Sequence, residues 1–305
     1  MGKMTRRRAE IYALLVIVVV AGALALHTLQ GGSPGGDASA STTSTGFYLA
    51  IGGSSSLGFQ PTGIPAHNGK RTDNGYANDI DAMEAKKGTS LILRQVGCPG
   101  EKASTMILAH DACYTGIGGQ MTASLHYLKA KFDDKGLVTI DLGFNDVRAC
   151  LLGGIVDESC ANQGLVAVRK DMPAIVRRIK AAAGPEVKIV GLLYEDPFLG
   201  DYLYPGSGAN AANLSLQVFA QLNASLMTIY RSDGVAMANV PGLFKSDATN
   251  EVSLDTVGPV PQNVALACTL TWMCAKPPWG PDDHPNNAGY RVIAVAIEGA
   301  LPASW

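Results

Sequence analysis

Short apolar runs alternate along the chain with longer stretches of helical spacing, and no other feature of the sequence constrains the fold as strongly. Each run is five to seven residues long and suits a strand that is buried in a parallel sheet. The first three runs stop at a glycine, which lets the chain turn at the edge of a sheet. The four runs are Phe47–Ile51, Leu91–Val96, Leu137–Leu142 and Val187–Leu193.

The stretches between and after these runs predict helices, because their apolar residues recur at intervals of three and four. The clearest series runs from Leu165 to Ile179 and is followed by Gly184-Pro185, a typical helix stop. Similar stretches extend from about Ala211 to Tyr230 and from Asn287 to Leu301. The alternation predicts an α/β fold, a three-layer α/β/α sandwich with a mostly parallel central sheet.

The N-terminal 46 residues differ from the rest of the chain. Basic residues, Lys3 and Arg6–Arg8, precede an apolar run from Ile11 to Leu26, which can be carried as far as Leu29. This pattern is typical of an export signal or an anchor; a buried helix fits less well, because a flexible segment follows. The run is long for a signal-peptide core and short for a full span. For residues 1–29 both a cleaved signal peptide and an uncleaved anchor, attached through residues 11–29, therefore stay open.

Residues 30–46 are rich in Gly, Ser and Thr and predict a flexible linker, so residues 47–305 would form the working domain outside the cytoplasm. The formal net charge is −2 and no basic stripe occurs, which excludes nucleic acid as a partner. Hydrophobic residues make up 47% of the chain, which excludes a disordered or fibrous protein.

Six cysteines all lie beyond the linker, and an even number in an exported chain predicts disulfides. Zinc is the competing interpretation, but His110-x-x-Cys113 is the only Cys/His pair at ligand spacing and no Cys-x-x-Cys occurs. Residues 246–279 contain two of the cysteines, several prolines and no clear periodicity, so we expect a long loop that a disulfide holds. Pairing between sequence neighbours is preferred among 15 connectivities: Cys98–Cys113, Cys150–Cys160 and Cys268–Cys274.

Polar residues follow the first three predicted strands, where ligands bind in open parallel sheets. The first strand leads into Gly52-Gly53-Ser54-Ser55-Ser56, where a serine could act as a nucleophile or cap a helix. The second leads into Gly97-Cys98-Pro99-Gly100-Glu101, which could offer a backbone N–H to an oxyanion or form an ordinary turn. The third leads into Gly143-Phe144-Asn145-Asp146, where the Asn145 amide could bind a ligand oxygen or serve a turn.

Near the C-terminus, Asp282-Asp283-His284 places acids next to a histidine. A neighbouring aspartate can orient an imidazole and stabilise its charged form while it accepts a proton. A surface turn is an equal alternative on this segment alone. A metal site there would have only about three local ligands and no second cluster to supply the others.

Together, and in this order, the four blocks resemble the GDSL/SGNH hydrolase family over roughly residues 47–300. Gly97–Glu101 and His284-Pro285-Asn286 look like its secreted esterase/lipase branch from actinobacteria. The resemblance implies an SGNH hydrolase-like, flavodoxin-like fold that hydrolyses a small-molecule or lipid ester without a metal or organic cofactor. It makes Ser54 the nucleophile and His284 the general base, with an oxyanion hole formed by the N–H groups of Ser54 and Gly100 and the Asn145 amide.

Two departures from the family pattern leave alternatives open. Gly53 stands where the family usually has aspartate, from which we expect altered support of the turn rather than lost chemistry. The family commonly has an aspartate three residues before the histidine, but Pro281 occupies that position here. Asp282 is therefore our choice for the acid, and a backbone carbonyl is the alternative. Two alternative functions stay open: an acyltransferase that uses the same site, and a non-catalytic binding module with a degenerate fold.

Overall fold

A computed structural model of the chain describes residues 44–64, 69–255, 257–303 and 305. The predicted signal or anchor segment, 1–29, and the linker up to residue 43 lie outside the described residues. Within the described ranges, no helix combines the length and the apolar character that a membrane crossing requires.

A five-stranded parallel sheet forms the centre of the fold, with the strand order β2-β1-β3-β4-β5. Four of its strands overlap the four predicted runs. The fifth has only three residues, too few to stand out as an apolar run. The strands are β1 (Ser44–Gly52), β2 (Thr89–Gln95), β3 (Gly136–Asp141), β4 (Val187–Leu192) and β5 (Ala236–Ala238).

Helices cover both faces of this sheet, because successive side chains of a strand point to opposite faces and both sets here are apolar. Phe47, Leu49 and Ile51 of β1 belong to one buried cluster, whereas Tyr48 and Ala50 belong to another. The three-layer α/β/α prediction is therefore confirmed. The helices are α1 (Tyr76–Lys86), α2 (Ala103–Leu108), α3 (Gly119–Ala130), α4 (Phe144–Arg148), α5 (Glu158–Ala182), α6 (Gly208–Ser232), α7 (Val240–Leu243), α8 (Gln262–Leu270) and α9 (Asn287–Glu298).

The stretch 246–279 is not the long loop that its lack of periodicity indicated, and that prediction was wrong. It contains an antiparallel hairpin of β6 (Glu251–Leu254) and β7 (Gly258–Pro261), followed by α8 and by β8 (Thr271–Trp272). These elements have two to nine residues each, which is too short for a periodic pattern to be recognised. β8 pairs antiparallel with β9 (Asp282–Pro285), and this second hairpin carries the predicted acid and histidine.

Three disulfides cross-link the described domain, in the pairs that sequence proximity favoured. Cys98–Cys113 lies in the segment after β2, Cys150–Cys160 ties the end of α4 to α5, and Cys268–Cys274 joins α8 to the residues after β8. Cys113 is therefore engaged with another cysteine and offers no thiolate to the zinc site considered above.

Candidate active site

Three of the predicted site residues lie at one edge of the sheet, because the strands that precede them are neighbours and parallel. Ser54 follows β1, Gly100 follows β2 and Asn145 follows β3, at the carboxyl end of each strand. The fourth block reaches the same edge through β9, which is not part of the central sheet.

A continuous chain of hydrogen bonds joins Ser54, His284 and Asp282. The Nε2 atom of His284 is 2.7 Å from the Ser54 hydroxyl oxygen, and its Nδ1 atom is 2.8 Å from Oδ1 of Asp282. The same Oδ1 accepts a hydrogen bond of 3.0 Å from the main-chain N–H of His284. The carboxylate thus fixes both the ring and the backbone of the histidine, and the backbone-carbonyl alternative is not needed to explain the ring's orientation.

The hydroxyl group of Ser56 is engaged elsewhere, which separates Ser54 from it. Ser56 is fully buried, and its hydroxyl donates to the carbonyl oxygen of Gly53 at 2.7 Å. Ser54 begins a single 3-10 turn, Ser55–Leu57, so its side chain stands at the end of the strand and faces the imidazole.

Opposing influences act on the pKa of His284, and their sum raises it above its ordinary value of 6.5. Burial lowers the pKa because it disfavours the imidazolium. The hydrogen bond that the imidazole donates to Asp282 and the charges of Asp283 and Asp282 raise the pKa, while the charge of Arg148 lowers it. A protonated His284 is therefore well stabilised, as a general base requires once it has taken a proton.

The expected oxyanion donors lie in a short loop and a short helix. Asn145 is the second residue of α4, and its Nδ2 donates to the carbonyl oxygen of Glu101 at 3.1 Å. Gly100 is exposed and has a φ of +81°, a conformation that favours glycine. Among the described residues, the backbone N–H groups of Ser54 and Gly100 have no hydrogen-bond acceptor, so both remain available to a ligand oxygen.

The turn that carries Ser54 is supported by Gln120, a residue of α3 that the sequence did not single out. Its side-chain amide binds both backbone groups of Gly52, accepting from the N–H at 2.8 Å and donating to the carbonyl at 3.0 Å. Gln120 is fully buried, and its own N–H donates to the carboxylate of Asp111. Its Nε2 also donates to Glu101 at 3.2 Å, which links the turn to the loop that carries Gly100.

A comparison of the sequence with protein families identifies the family of this chain. The sequence profile of the GDSL-like lipase/acylhydrolase family matches residues 50–292, which include every residue of the site described above. The chain belongs to this family. The resemblance stated from the four blocks is confirmed at the level of the family, and the actinobacterial branch stays a prediction.

Solved structures that are similar to this chain include members of the same family and other esterases. Phospholipase A1 from Streptomyces albidoflavus NA297 is 15% identical, with 84% of this chain and 99% of that chain covered and a TM-score of 0.48. A lipolytic G-D-S-L protein from Veillonella parvula DSM 2008 is 13% identical, with 85% and 98% covered and a TM-score of 0.47. The acetyl xylan esterase AlAXEase is 11% identical, with 84% and 100% covered and a TM-score of 0.47. No curated protein matches the chain.

The family's aspartate is replaced by Gly53, and the surroundings of Gly53 explain why glycine fits. A Cβ atom at this position would lie 2.7 Å from Nδ2 of Asn145, closer than such contacts occur. A side chain here would therefore displace the amide or be displaced by it. Gly52 is equally confined, since its φ is +150° and a Cβ would lie 2.2 Å from the carbonyl oxygen of Asp141.

A buried acid lies beneath the turn that carries Ser54. Asp141, at the end of β3, accepts hydrogen bonds from the hydroxyl groups of Tyr194 at 2.8 Å and Tyr76 at 3.3 Å. Burial raises the pKa of Asp141 to about 6, against the lowering effect of these hydrogen bonds and of the charge of His284. The same effect raises the pKa of Glu101 to about 7, since burial outweighs its hydrogen bond from Thr105.

A cavity of about 310 Å³ borders the acid end of the site. Its apolar wall includes Phe198, Met273 and Trp279, and its polar wall includes Asp282 and Asp283. Phe198 both lines this cavity and packs in the main core, where it is 1% exposed.

Two residues close to the site were not recognised from the sequence as a pair. Arg148 binds Asp283 through both carboxylate oxygens, with distances of 2.6 and 2.7 Å. Two consecutive acids, Asp282 and Asp283, precede His284, and this pattern indicated that only one of them could bind the imidazole. The partner of Asp283 is Arg148, 135 positions away, and no local pattern in the sequence points to it. Each member of the Asp282-Asp283-His284 group, considered above as a metal site, is thus bound to a protein group.

Proposed function

We propose that residues 47–305 form a serine esterase that hydrolyses carboxylic esters through Ser54, His284 and Asp282. The observation that carries the proposal is the unbroken hydrogen-bond chain from the Ser54 hydroxyl through the imidazole to Asp282, at the edge of the sheet where ligands bind. Membership of a lipase/acylhydrolase family supports the same reaction class.

In this mechanism, His284 Nε2 takes the proton of Ser54 as the serine oxygen attacks the ester carbonyl. Asp282 holds the imidazole through Nδ1 and stabilises the imidazolium. The tetrahedral oxyanion would be bound by the N–H groups of Ser54 and Gly100 and by the Asn145 amide. The ester C–O bond then breaks, the imidazolium gives its proton to the departing alcohol, and the acyl group remains on Ser54. A water molecule, deprotonated by His284, attacks this acyl group; the imidazolium then returns the proton to the Ser54 oxygen as the acid leaves.

The substrate class within this proposal is a small-molecule or lipid ester, and the site of action is outside the cytoplasm. Three disulfides support an oxidising compartment, because such bonds are rare in reducing ones. Attachment to a membrane through residues 11–29 belongs to the same proposal and would be tested by fractionating cells that express the full chain. Recovery in the soluble cytoplasmic fraction would contradict it.

The test of the reaction is hydrolysis of short- and long-chain nitrophenyl esters by the full chain, beside Ser54→Ala. The parent should be active and Ser54→Ala should lose activity by about 10⁵-fold or more. The adjacent Ser55→Ala removes the same hydroxyl group one position away and serves as the matched control. Equal rates in parent and Ser54→Ala would remove Ser54 as nucleophile. Labelling by a serine-directed fluorophosphonate without hydrolysis would favour an acyltransferase, and the absence of both would favour a binding module.

A further inference from the structure

The short helix α4 connects the two parts of the candidate site. Asn145 at its start belongs to the oxyanion side, where Asp146 also accepts a hydrogen bond of 2.9 Å from the N–H of Ala103 at the beginning of α2. Arg148 at its end reaches β9 and contacts Asp283, which stands between the acid and the histidine. A displacement of α4 would therefore act on both sides at once.

The contact between Arg148 and Asp283 has the geometry of a specific pair. Nε donates to one carboxylate oxygen at 2.6 Å and Nη2 donates to the other at 2.7 Å, so the two planar groups are fixed in orientation as well as distance. The Asp283 side chain is only 4% exposed, whereas that of Arg148 is 36% exposed. A carboxylate buried to this degree requires a charged partner, and Arg148 supplies it.

We propose that Arg148 and Asp283 are positioning residues of the catalytic site, which lock strand β9 to helix α4 and thereby hold His284 between Ser54 and Asp282. The inference rests on the proposed function. It is distinct from the Ser-His-Asp arrangement itself, because neither residue touches the hydroxyl or the imidazole nitrogens. Arg148 also neutralises one of two adjacent carboxylates, which leaves Asp282 as the acid that acts on Nδ1.

The pair acts on the histidine through charge as well as position. Four charged groups influence or respond to the charge of His284: Asp282, Asp283, Asp141 and Arg148. Asp283 raises the pKa of the imidazole, and Arg148 lowers it. The two members of one ion pair therefore have opposite effects on the titration of the general base, whereas a salt bridge far from His284 would have neither effect.

The experiment records kcat/KM against pH for a nitrophenyl ester with the full chain. The general base works when neutral, so the acid limb of the profile follows the pKa of His284. Arg148→Met should move this limb to higher pH and Asp283→Asn should move it to lower pH, each by roughly 0.5–1 pH unit. Both should reduce kcat by about 10- to 100-fold with little change in KM, because a misplaced base slows the chemical step.

A matched control uses the exposed ion pair of Arg291 and Asp79, which joins α9 to α1 with a distance of 3.3 Å. Arg291→Met removes the same charge at a distance from β9. It should leave both the acid limb of the pH profile and kcat at the parent values. The proposal would be overturned if the acid limb stayed in place in both Arg148→Met and Asp283→Asn, or if it moved in the same direction in both variants.

Two further measurements keep the proposal open to refutation if a single variant fails to fold. The double variant, Arg148→Met with Asp283→Asn, leaves no buried unpaired charge and should combine a limb near the parent value with a reduced kcat. A folded double variant with the parent's kcat would overturn the proposal. The NMR titration of the His284 ring, assigned with His284→Gln, reports the same opposite shifts without any turnover. Failure of the proposed function is distinct, since it would appear as an inactive, unlabelled parent.

Discussion

The two sides of the candidate site are held in place by different means. Ser54 and Asn145 follow central strands of the sheet, and the turn before Ser54 is bound from below by the fully buried Gln120. Asp282 and His284 lie on β9, which among the described strands pairs only with the two residues of β8. The side that follows the central strands, here called the sheet side (Ser54 and Asn145), is held rigidly by the core. The side on β9, here called the hairpin side (Asp282 and His284), depends on a few specific contacts.

Those contacts can be named. The Asn286 side chain caps α9 directly after β9, accepting from the N–H groups of Ala288 and Gly289 and donating to the Thr269 carbonyl at 2.8 Å. The Arg148–Asp283 pair adds the link to α4. The comparison teaches that substitutions on the sheet side should change stability and rate together, whereas those on the hairpin side should change the rate and its pH dependence first.

The largest effects are expected where the hairpin side meets the nucleophile. His284→Gln should lower kcat by about 10⁶-fold, and Asp282→Ala by about 10⁴-fold, because Asp282 orients the base without receiving the proton. Steady-state kinetics on a nitrophenyl ester measures both, with the exposed Asp73→Ala as control. A loss of less than tenfold in Asp282→Ala would show that another group orients His284.

On the sheet side, Gln120→Met should reduce both stability and rate. The buried N–H of Gly52 would lose its acceptor, while the Gly52 carbonyl keeps its bond of 2.9 Å from the N–H of Cys98. One unpaired buried N–H corresponds to a loss of about 1–3 kcal/mol in the free energy of unfolding, measured by urea denaturation. We also expect kcat to fall by about tenfold or more as the turn shifts.

Ser124→Ala is the control for this substitution, because Ser124 is buried on the same helix but donates only to the carbonyl of Gln120 within it. A Gln120→Met protein that loses stability yet keeps the parent's kcat would separate support of the core from support of the nucleophile, and would remove the coupling that distinguishes the sheet side.

The residues of the sheet side could be predicted from the sequence, whereas the residue that supports their turn could not. Ser54 and Asn145 were recognisable because each directly follows a buried apolar run, so the parallel topology brings them together. Gln120 was not recognisable, because a glutamine within a helical stretch has the pattern of a surface residue until the backbone it binds is known. Helix α1 was missed for a related reason: its buried face includes the charged Glu84, which masks an apolar periodicity.

The hairpin side shows the opposite limit. His284 and Asp282 could be chosen by motif, but β8 has two residues and β9 has four, and neither is long enough to predict a strand. The partner of Asp283 is 135 positions away, and a pairing at that distance is decided by the fold and not by local pattern. Local signals therefore identified the candidate reacting groups, whereas the groups that hold them could be identified only from the tertiary structure.

A smaller effect is expected from Gly53→Ala, which tests the departure from the family pattern. The added methyl group would contact Nδ2 of Asn145 at 2.7 Å and push the amide away from its hydrogen bond with Glu101. We expect kcat to fall by about 10- to 100-fold with KM nearly unchanged, because an oxyanion donor acts mainly in the transition state. Gly116→Ala is the control, since nothing lies within 4 Å of a Cβ there. Unchanged kcat would mean that Asn145 is not an oxyanion donor.

The smallest effect concerns Glu195, which follows β4 and feels the charges of Asp141 on the sheet side and of Asp283 on the hairpin side. Burial raises its pKa to about 8 from the ordinary 4.5. The folded state therefore holds a proton that the unfolded state releases between these pH values, and this contribution to stability, complete below pH 4.5, is lost as the pH rises through 8.

Glutamine imitates the protonated side chain, so Glu195→Gln should remove that loss. At pH 8.5 the variant should be more stable than the parent by about 1–2 kcal/mol, which corresponds to an increase of roughly 2–8 °C in Tm, and at pH 5 the two should differ little. The exposed Glu186→Gln controls for the loss of a charge. A Tm increase of equal size at both pH values would indicate better packing of the glutamine instead of the removal of a buried titratable charge.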